Sequence, residues 1–373
     1  MLKIAIVGCG KTADAYAQQI RYMEGCEIVG VCDHELLMAK QLYDRFPVKA
    51  YFSDLTELLV TVQPDVVHIT TPPESHFDIA RFCLENDCHV YIETPITPTA
   101  NEAKQLVDLA CRKRLKLTVG FNDQFSHVAW RMRKLVESGY LGENLVHMDS
   151  YCSYDLGSCT SKRALLENYG PNFPLQLLQN VMSHGIARIA EFLTSDNPHV
   201  IAFGFVSPFL EAMGEAEMVC ELRVMILGDN RTTAYFTLSS RMKPSAREFR
   251  IYGSQNGLVL DQNHELLIQL RGVKFKSYVE RLFLPVLFAK QHLGNLFENA
   301  RLLLANDFRT DSGMRCLIES FYRSVRLDAP VPIPYREVLL TSRIIDGIFD
   351  QLRNTTGKSP TSIGPSERLV TYQ

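Results

Sequence analysis

Gly8, Gly10 and Ala13 stand in a G-x-G-x-x-A spacing within IAIVGCGKTADAYAQQI, directly after a strand-like run and at the opening of a helix-like one. That spacing suits a dinucleotide: the first glycine turns the chain, the second lets a pyrophosphate approach the backbone, and a small third residue lets helix and strand pack closely. The helix N-terminus then faces the anion. Asp33 closes the next strand-like run about 20 residues after Ala13, where an acid accepts hydrogen bonds from the ribose 2′-hydroxyl. Its charge repels a 2′-phosphate and no arginine follows it in CDHELL, so NAD is expected over NADP. An ATP-type phosphate loop does not fit, because the earlier glycine its pattern needs falls on Ala5. The plain alternative is a strand-to-helix turn with glycines and no nucleotide.

A second set of residues lies in QLLQNVMSHGIARIAEFL, residues 176–193, which alternates as an amphipathic helix. Asn180, His184 and Arg188 follow one another at i, i+4 on one face, while Leu177, Val181, Met182, Ile186 and Ile189 occupy much of the rest. Facing a bound coenzyme, an imidazole at 184 would carry a proton, Asn180 would orient substrate hydroxyls, and Arg188 would bind an anionic group or bias the imidazole toward neutrality. Spacing alone favours the plainer reading, a solvated face with a surface histidine. His127, Tyr151, Tyr154 and Asn172 are further polar candidates near strand ends or loops, each read as structural.

The elements that must position these groups follow from periodicity. Short apolar runs alternate with helix-length amphipathic segments through the first third, from Ile4–Val7 to KLTVG, giving six candidate strands with crossover helices. This is the rhythm of a doubly wound parallel sheet. After Phe121 long strand candidates succeed one another without helices between them: EAEMVCELRVMI, RTTAYFTLSS, REFRIYG, GLVLD and ELLIQL. A second, α+β domain with a mostly antiparallel sheet is expected, flanked by helices near 126–138, 175–193, 279–304, 312–326 and 335–353. The polar, Gly/Pro/Ser-rich end from about 354 reads as a loosely held tail.

Composition narrows the function classes. The chain has 373 residues, 46% of them apolar, enough for two domains with sizeable cores. A formal net charge of -3 gives no basic excess for a nucleic-acid backbone, so nucleic acid is not an expected partner. The 10 cysteines are scattered without CxxC or metal-ligand spacing, so no metal is expected and buried free thiols are. The longest apolar stretch, from Tyr278, contains Glu280, Arg281, Pro285 and Lys290 and cannot span a bilayer; a packed or subunit-facing helix is the plain reading and a peripheral membrane contact the other. The opening MLKIAIVG lacks signal-peptide features, which points to the cytoplasm.

The opening loop, TTPPESH at 70–76, ETP at 93–95, GFNDQF at 120–125, LVESGYLGE at 135–143 and FRIYGSQNGLVLD at 249–261 together resemble the Gfo/Idh/MocA oxidoreductases. The resemblance implies an NAD(P)-binding Rossmann domain over residues 1–122, then a substrate-binding and oligomerisation domain over 123–373, with an open-faced sheet that makes a homodimer or homotetramer. Carried over by position, Gly8, Gly10, Lys11, Thr12 and Ala13 would surround the pyrophosphate and Asp33 the adenosine ribose. Thr71, Pro72, His76, Glu93 and Asn122 would line the nicotinamide half, with capping its helix or a solvated ring as the alternative for His76. The family usually has a lysine between the glutamate and proline of ETP. Here it is Thr94, whose hydroxyl can hydrogen-bond or relay a proton but does not ionise near neutral pH. The family's Asp-x-x-x-His-x-x-Asp helix pattern keeps His184, with Asn180 for the first acid and Ala187 for the second.

His184, Thr94 and Asn180 are therefore the expected catalytic positions. The expected function is NAD-dependent oxidation or reduction of a sugar, nucleotide sugar or polyol at a secondary alcohol or carbonyl. The alternatives are a hydrolase or lyase that oxidises its substrate transiently with retained NAD, and a dinucleotide-binding sensor or assembly partner without redox turnover.

Overall fold

The computed structural model describes residues 1–154, 173–206, 219–272, 277–304 and 312–355. Asn172 and the tail beyond 355 lie outside the described residues.

The first 121 residues alternate strand and helix: β1 (Leu2–Val7), α1 (Lys11–Ile20), β2 (Cys26–Cys32), α2 (Leu36–Arg45), β3 (Tyr51–Phe52), α3 (Leu55–Val62), β4 (Val66–Ile69), α4 (His76–Glu85), β5 (His89–Ile92), α5 (Ala100–Lys113) and β6 (Leu117–Val119). Every pairing is parallel and the strand order is β3-β2-β1-β4-β5-β6. The chain reverses its winding between β1 and β4, and in such sheets the carboxyl ends of the strands at that point open a crevice for ligand. The central strands are buried on both faces, as parallel strands covered by helices must be. Asp54 and Thr99 cap α3 and α5 by accepting the backbone N–H three residues on, in the usual way of an N-terminal oxygen acceptor.

The second domain contains α6 (His127–Glu137), β7 (Leu145–Ser153), α7 (Phe173–Phe192), β8 (His199–Val206), β9 (Val219–Leu227), β10 (Thr233–Ser239), β11 (Arg247–Gly253), β12 (Asn256–Asp261), β13 (Leu266–Arg271), α8 (Ser277–Leu304), α9 (Ser312–Leu327) and α10 (Tyr335–Thr355). Its sheet runs β13-β12-β11-β7-β10-β9-β8, antiparallel except where β7 pairs parallel with β10. Two of its strands escaped the sequence reading. β7, near the middle of the sheet, turns Met148, Ser150 and Cys152 inward rather than a row of large apolar side chains. Small residues are needed there because α7 lies against the strand: Ser150 Oγ donates to Gly185 O at 3.1 Å, and a Cβ on Gly185 would stand 2.9 Å from Cys152 Sγ and 2.3 Å from Phe236. β8 inverts the usual pattern, with Phe203 and Phe205 outward and Ala202 and Gly204 toward the packed face.

The last helices return to the first domain. α9 places Leu317, Ile318, Phe321 and Tyr322 in the core beneath the parallel sheet, where Tyr322 Oη meets His68 Nε2 at 2.8 Å. A Cβ on Gly313 would lie 2.4 Å from Asn122 O, so the start of α9 touches the chain's crossing point between domains. α10 joins the second core through Leu340, Ile344 and Ile348, and Asp346 accepts the backbone N–H of Ala100 at 2.9 Å.

Glu337, on the first turn of α10, has its carboxyl pushed up to about 7, first by burial and then by the negative charge of Glu191, against the guanidinium groups of Arg133 and Arg336. The folded protein therefore binds this proton more tightly than the unfolded chain does. Stability is full below the range where a free glutamate titrates and falls as pH rises toward 7. Glu337→Gln is expected to leave the urea midpoint unchanged at pH 4 and to raise stability at pH 8 by about 1 kcal/mol, after allowance for partial solvent screening. An equal effect at both pH values would show that the carboxylate charge is not the cause.

Candidate active site

The loop after β1 is shaped by its neighbours. Gly8 adopts φ +90°, and a Cβ there would stand 2.8 Å from Thr71 N and Thr71 Cγ2, so this turn requires glycine. Thr70 Oγ1 donates to Gly8 O at 2.7 Å and ties the loop to the end of β4. Gly10 differs: nothing lies within 4 Å of a Cβ built on it, and it caps α1 without a side-chain hydrogen bond. The first N–H groups of α1 are thus left to bind an anion, with open space in front of them.

A cavity of about 740 Å³ opens at this loop. Of the expected cofactor residues, Gly8, Gly10, Asp33, Thr71 and Pro72 line it. Lys11 and Thr12 are exposed in the first turn of α1, while Ala13 is fully buried as the small residue between helix and sheet. Asp33 accepts from Cys9 N at 2.7 Å and Glu35 N at 3.0 Å, which fixes the carboxylate at the cavity wall. Met38, Leu55 and Ile79 supply apolar wall beyond it. Volume, glycine clearance, unsatisfied N–H groups and a fixed acid together fit an adenine dinucleotide.

The other end of the crevice lies where β5 and β6 stop. Glu93 is held on both oxygens: Tyr16 Oη donates to one, and Thr94 N donates to the other at 2.9 Å. Burial, then the Glu93 charge, pushes the Tyr16 phenol well above its ordinary value, so Tyr16 stays a donor. Asn122 Oδ1 accepts from Tyr91 Oη at 3.4 Å. His76 neither caps its helix through its side chain nor stays in solvent. It is fully buried, with Nδ1 2.9 Å from Pro95 O and Nε2 2.8 Å from Thr71 O, and it braces the loops after β4 and β5 against each other. Burial lowers its pKa against the pull of these carbonyls, and a neutral ring donates to only one of them at a time.

The helix α7 crosses this end. Asn180 Nδ2 reaches Thr94 O at 3.5 Å, Gln124 Nε2 donates to Ala187 O at 3.0 Å, and Arg188 Nη2 donates to Asp123 O. The face that carries Asn180, His184 and Arg188 therefore runs from solvent into the core. Asn180 is exposed, His184 is half-buried and Arg188 is buried. Arg188 thus braces α7 against the turn Asn122–Phe125. Thr94 is buried, and neither its Oγ1 nor His184 Nδ1 has a hydrogen-bond partner among the described residues.

Two contributors were missed in the sequence. Asp123, in GFNDQF, sits with its charge toward His184. Burial acts to raise its carboxyl, but the charges of His184, Arg247 and Arg188 outweigh burial and hold it below the usual range. Tyr16 lies on the buried face of α1 with Ala13, Ala17 and Ile20. A phenol on an otherwise apolar helix face was the signal available, since a buried hydroxyl demands a partner. Of the lesser candidates, His127 begins α6 and Tyr151 faces outward on β7 beneath the Arg250 guanidinium.

Residues 2–121 match the family model described as the oxidoreductase family GFO_IDH_MocA, NAD-binding Rossmann fold. D-glucoside 3-dehydrogenase of Escherichia coli (strain K12) is 32% identical over 143 residues, 38% of this chain and 41% of that protein, so the chain spans about two fifths of this relative's length. Among solved structures, the WlbA dehydrogenase from Bordetella pertussis in complex with NADH and UDP-GlcNAcA matches with a TM-score of 0.74 at 15% identity, over 95% of this chain and 96% of its own. The NAD binding oxidoreductase from Klebsiella pneumoniae matches with a TM-score of 0.74 at 16% identity, over 94% and 96%. The two structures establish a shared fold across both domains. The similarity to the Gfo/Idh/MocA oxidoreductases thus lies in the first domain, residues 2–121.

Proposed function

We propose that this protein is an NAD-dependent oxidoreductase of a sugar, nucleotide sugar or polyol, with His184 as acid/base, Thr94 as a hydrogen-bonding partner of the reacting oxygen and Asn180 as an orienting group. The observation that carries the reading is the approach of α7 to the end of β5. It sets Asn180 against Thr94, with His184 one turn further along the same helix. When bound, NAD supplies or accepts the hydride. Gly10 and the first turn of α1 would hold its pyrophosphate, and Asp33, beside His34 and Glu35 in an arginine-free stretch, favours a free 2′-hydroxyl over a 2′-phosphate. The relative named D-glucoside 3-dehydrogenase supports the substrate class. A panel of sugars, polyols and nucleotide sugars, read by the absorbance of reduced coenzyme, tests the reading. Tight NADH binding with no turnover across the panel would leave a dinucleotide-binding protein without redox function. Thr94 and Ala187, neither of which ionises near neutral pH, favour that as the second reading.

Thr94→Val separates the two. The hydroxyl is buried without a partner among the described residues, so its removal is expected to change stability by less than about 1 kcal/mol. Turnover is expected to fall by about 10-fold, the loss of one neutral hydrogen bond in the transition state. Unchanged kcat with a normal melting temperature would remove Thr94 from the site.

Oligomerisation through the second sheet has its own support. Phe203, Phe205 and Tyr235 stand exposed on the sheet's outward face, away from α7. Among the described residues, no helix is long and apolar enough to cross a membrane.

A further inference from the structure

The helix α8 does not pack on the sheet as a helix usually does. It lies along the free edge of β13 and satisfies that strand's backbone with side-chain amides. Gln291 Oε1 accepts from Gln269 N at 2.7 Å and its Nε2 donates to Gln269 O at 3.1 Å. Asn295 repeats the pair on Leu267 at 3.3 and 3.1 Å, and Asn299 Nδ2 donates to His264 O at 2.9 Å. The i, i+4, i+8 ladder replaces the missing neighbour strand and fixes which side of α8 faces inward.

The opposite side is apolar and open. Leu282, Val286, Ala289, Leu293, Leu296, Ala300 and Leu303 follow at intervals of 4, 3, 4, 3, 4 and 3 residues, and all seven are exposed. An alternation of 3 and 4 is the repeat of a coiled-coil seam, and Phe283, Leu287, Phe297 and Leu304, also exposed, widen the apolar surface beside it. Lys290 and Arg301 flank it as isolated charges with Glu298, without the cluster of basic residues that an anionic membrane surface favours.

We propose that this seam pairs with the same seam of a second copy of the chain, at an interface separate from the outward face of the sheet. In an antiparallel pairing centred between Leu293 and Leu296, positions 289 and 300 face each other, both alanine. Positions 286 and 303 then match valine with leucine, and 293 and 296 match leucine with leucine. Small opposes small and large opposes large along the seam, as close helix contact needs. Leu293 and Leu296 are 55% and 60% exposed, and Leu282 and Phe297 are 73% and 72% exposed. Together the stripe offers several hundred Å² per copy, on the order of the ~800 Å² each partner contributes to a standard interface. Because the amide ladder already holds the helix in place, pairing does not have to order it first.

The full-length protein with Leu293→Glu/Leu296→Glu tests this by light scattering during size-exclusion chromatography at micromolar concentration. Neither side chain is buried, so the variant should keep the parent's circular dichroism and its NADH binding. Its mass is expected to fall to half that of the parent, pairing being weakened by more than about 100-fold. Mixing it with the Leu293→Lys/Leu296→Lys variant should restore the parent mass. An unchanged mass in the glutamate variant, or a parent that is already monomeric, overturns the proposal. Flotation of the parent but not the glutamate variant with anionic phospholipid vesicles, without any change in mass, overturns it in favour of a lipid surface.

Discussion

His184→Ala is expected to lower kcat by about 100- to 10,000-fold, with little change in NADH affinity. The imidazole stands on α7 at the end of β5, half-buried, with Nδ1 unpartnered among the described residues and with the Asp123 carboxylate beside it. It touches none of the groups that form the cavity at the glycine loop, so coenzyme binding should survive its removal. A proton carrier acts in the transition state, so kcat and kcat/KM should fall together, whereas a residue that only binds substrate would raise KM and spare kcat. The measurement is steady-state turnover on whichever panel compound the parent accepts. Turnover equal to the parent's would dismiss His184 as the acid/base while leaving NAD binding untouched.

The second large effect separates two glycines that stand two positions apart in the same loop. Gly10→Val is expected to weaken NADH binding by about 100-fold or more, because the added side chain would occupy the space that brings a pyrophosphate to the N-terminus of α1. Folding should be little affected, since nothing lies within 4 Å of the new Cβ. Gly8→Ala reverses the balance. Its Cβ would collide with Thr71 at φ +90°, and the expected result is a loss of stability of about 1–3 kcal/mol before binding is considered. Calorimetric titration beside thermal melts reads both. If Gly10→Val binds NADH as the parent does, the loop is a turn with glycines and no nucleotide, and the proposed activity goes with it.

The first domain was legible because each of its signals is local. Parallel strands write themselves as continuous apolar runs, and the glycine loop and Asp33 sit at fixed distances from the ends of two of them. The second domain was legible only where its strands alternate in the common sense. β7 was hidden because its inward residues, Ser150 and Cys152, are small to make room for α7, and that demand comes from a helix some 35 positions away. The candidate site shows the same division. Spacing put Asn180, His184 and Arg188 on one face, but only tertiary packing decides that this face descends into the protein, leaving Arg188 to brace Asp123 O. His76 read as a ligand contact, a helix cap or a solvated ring; its ring also braces two loops distant in sequence, a role with no local signature.

The return of α9 to the parallel sheet bears on how the protein can be made. Tyr16, His68 and Tyr91 form an aromatic nest whose remaining wall is Phe321 and Tyr322, from a helix that leaves the ribosome about 200 residues after the sheet it completes. Until then the nascent sheet carries an uncovered apolar slot and His68 lacks its phenol partner. Burying each of those two side chains contributes roughly 2–3 kcal/mol. A clone stopped after residue 122 would omit this plug, so the coenzyme-binding half is expected to require the distal part of its own gene product to become soluble and stable.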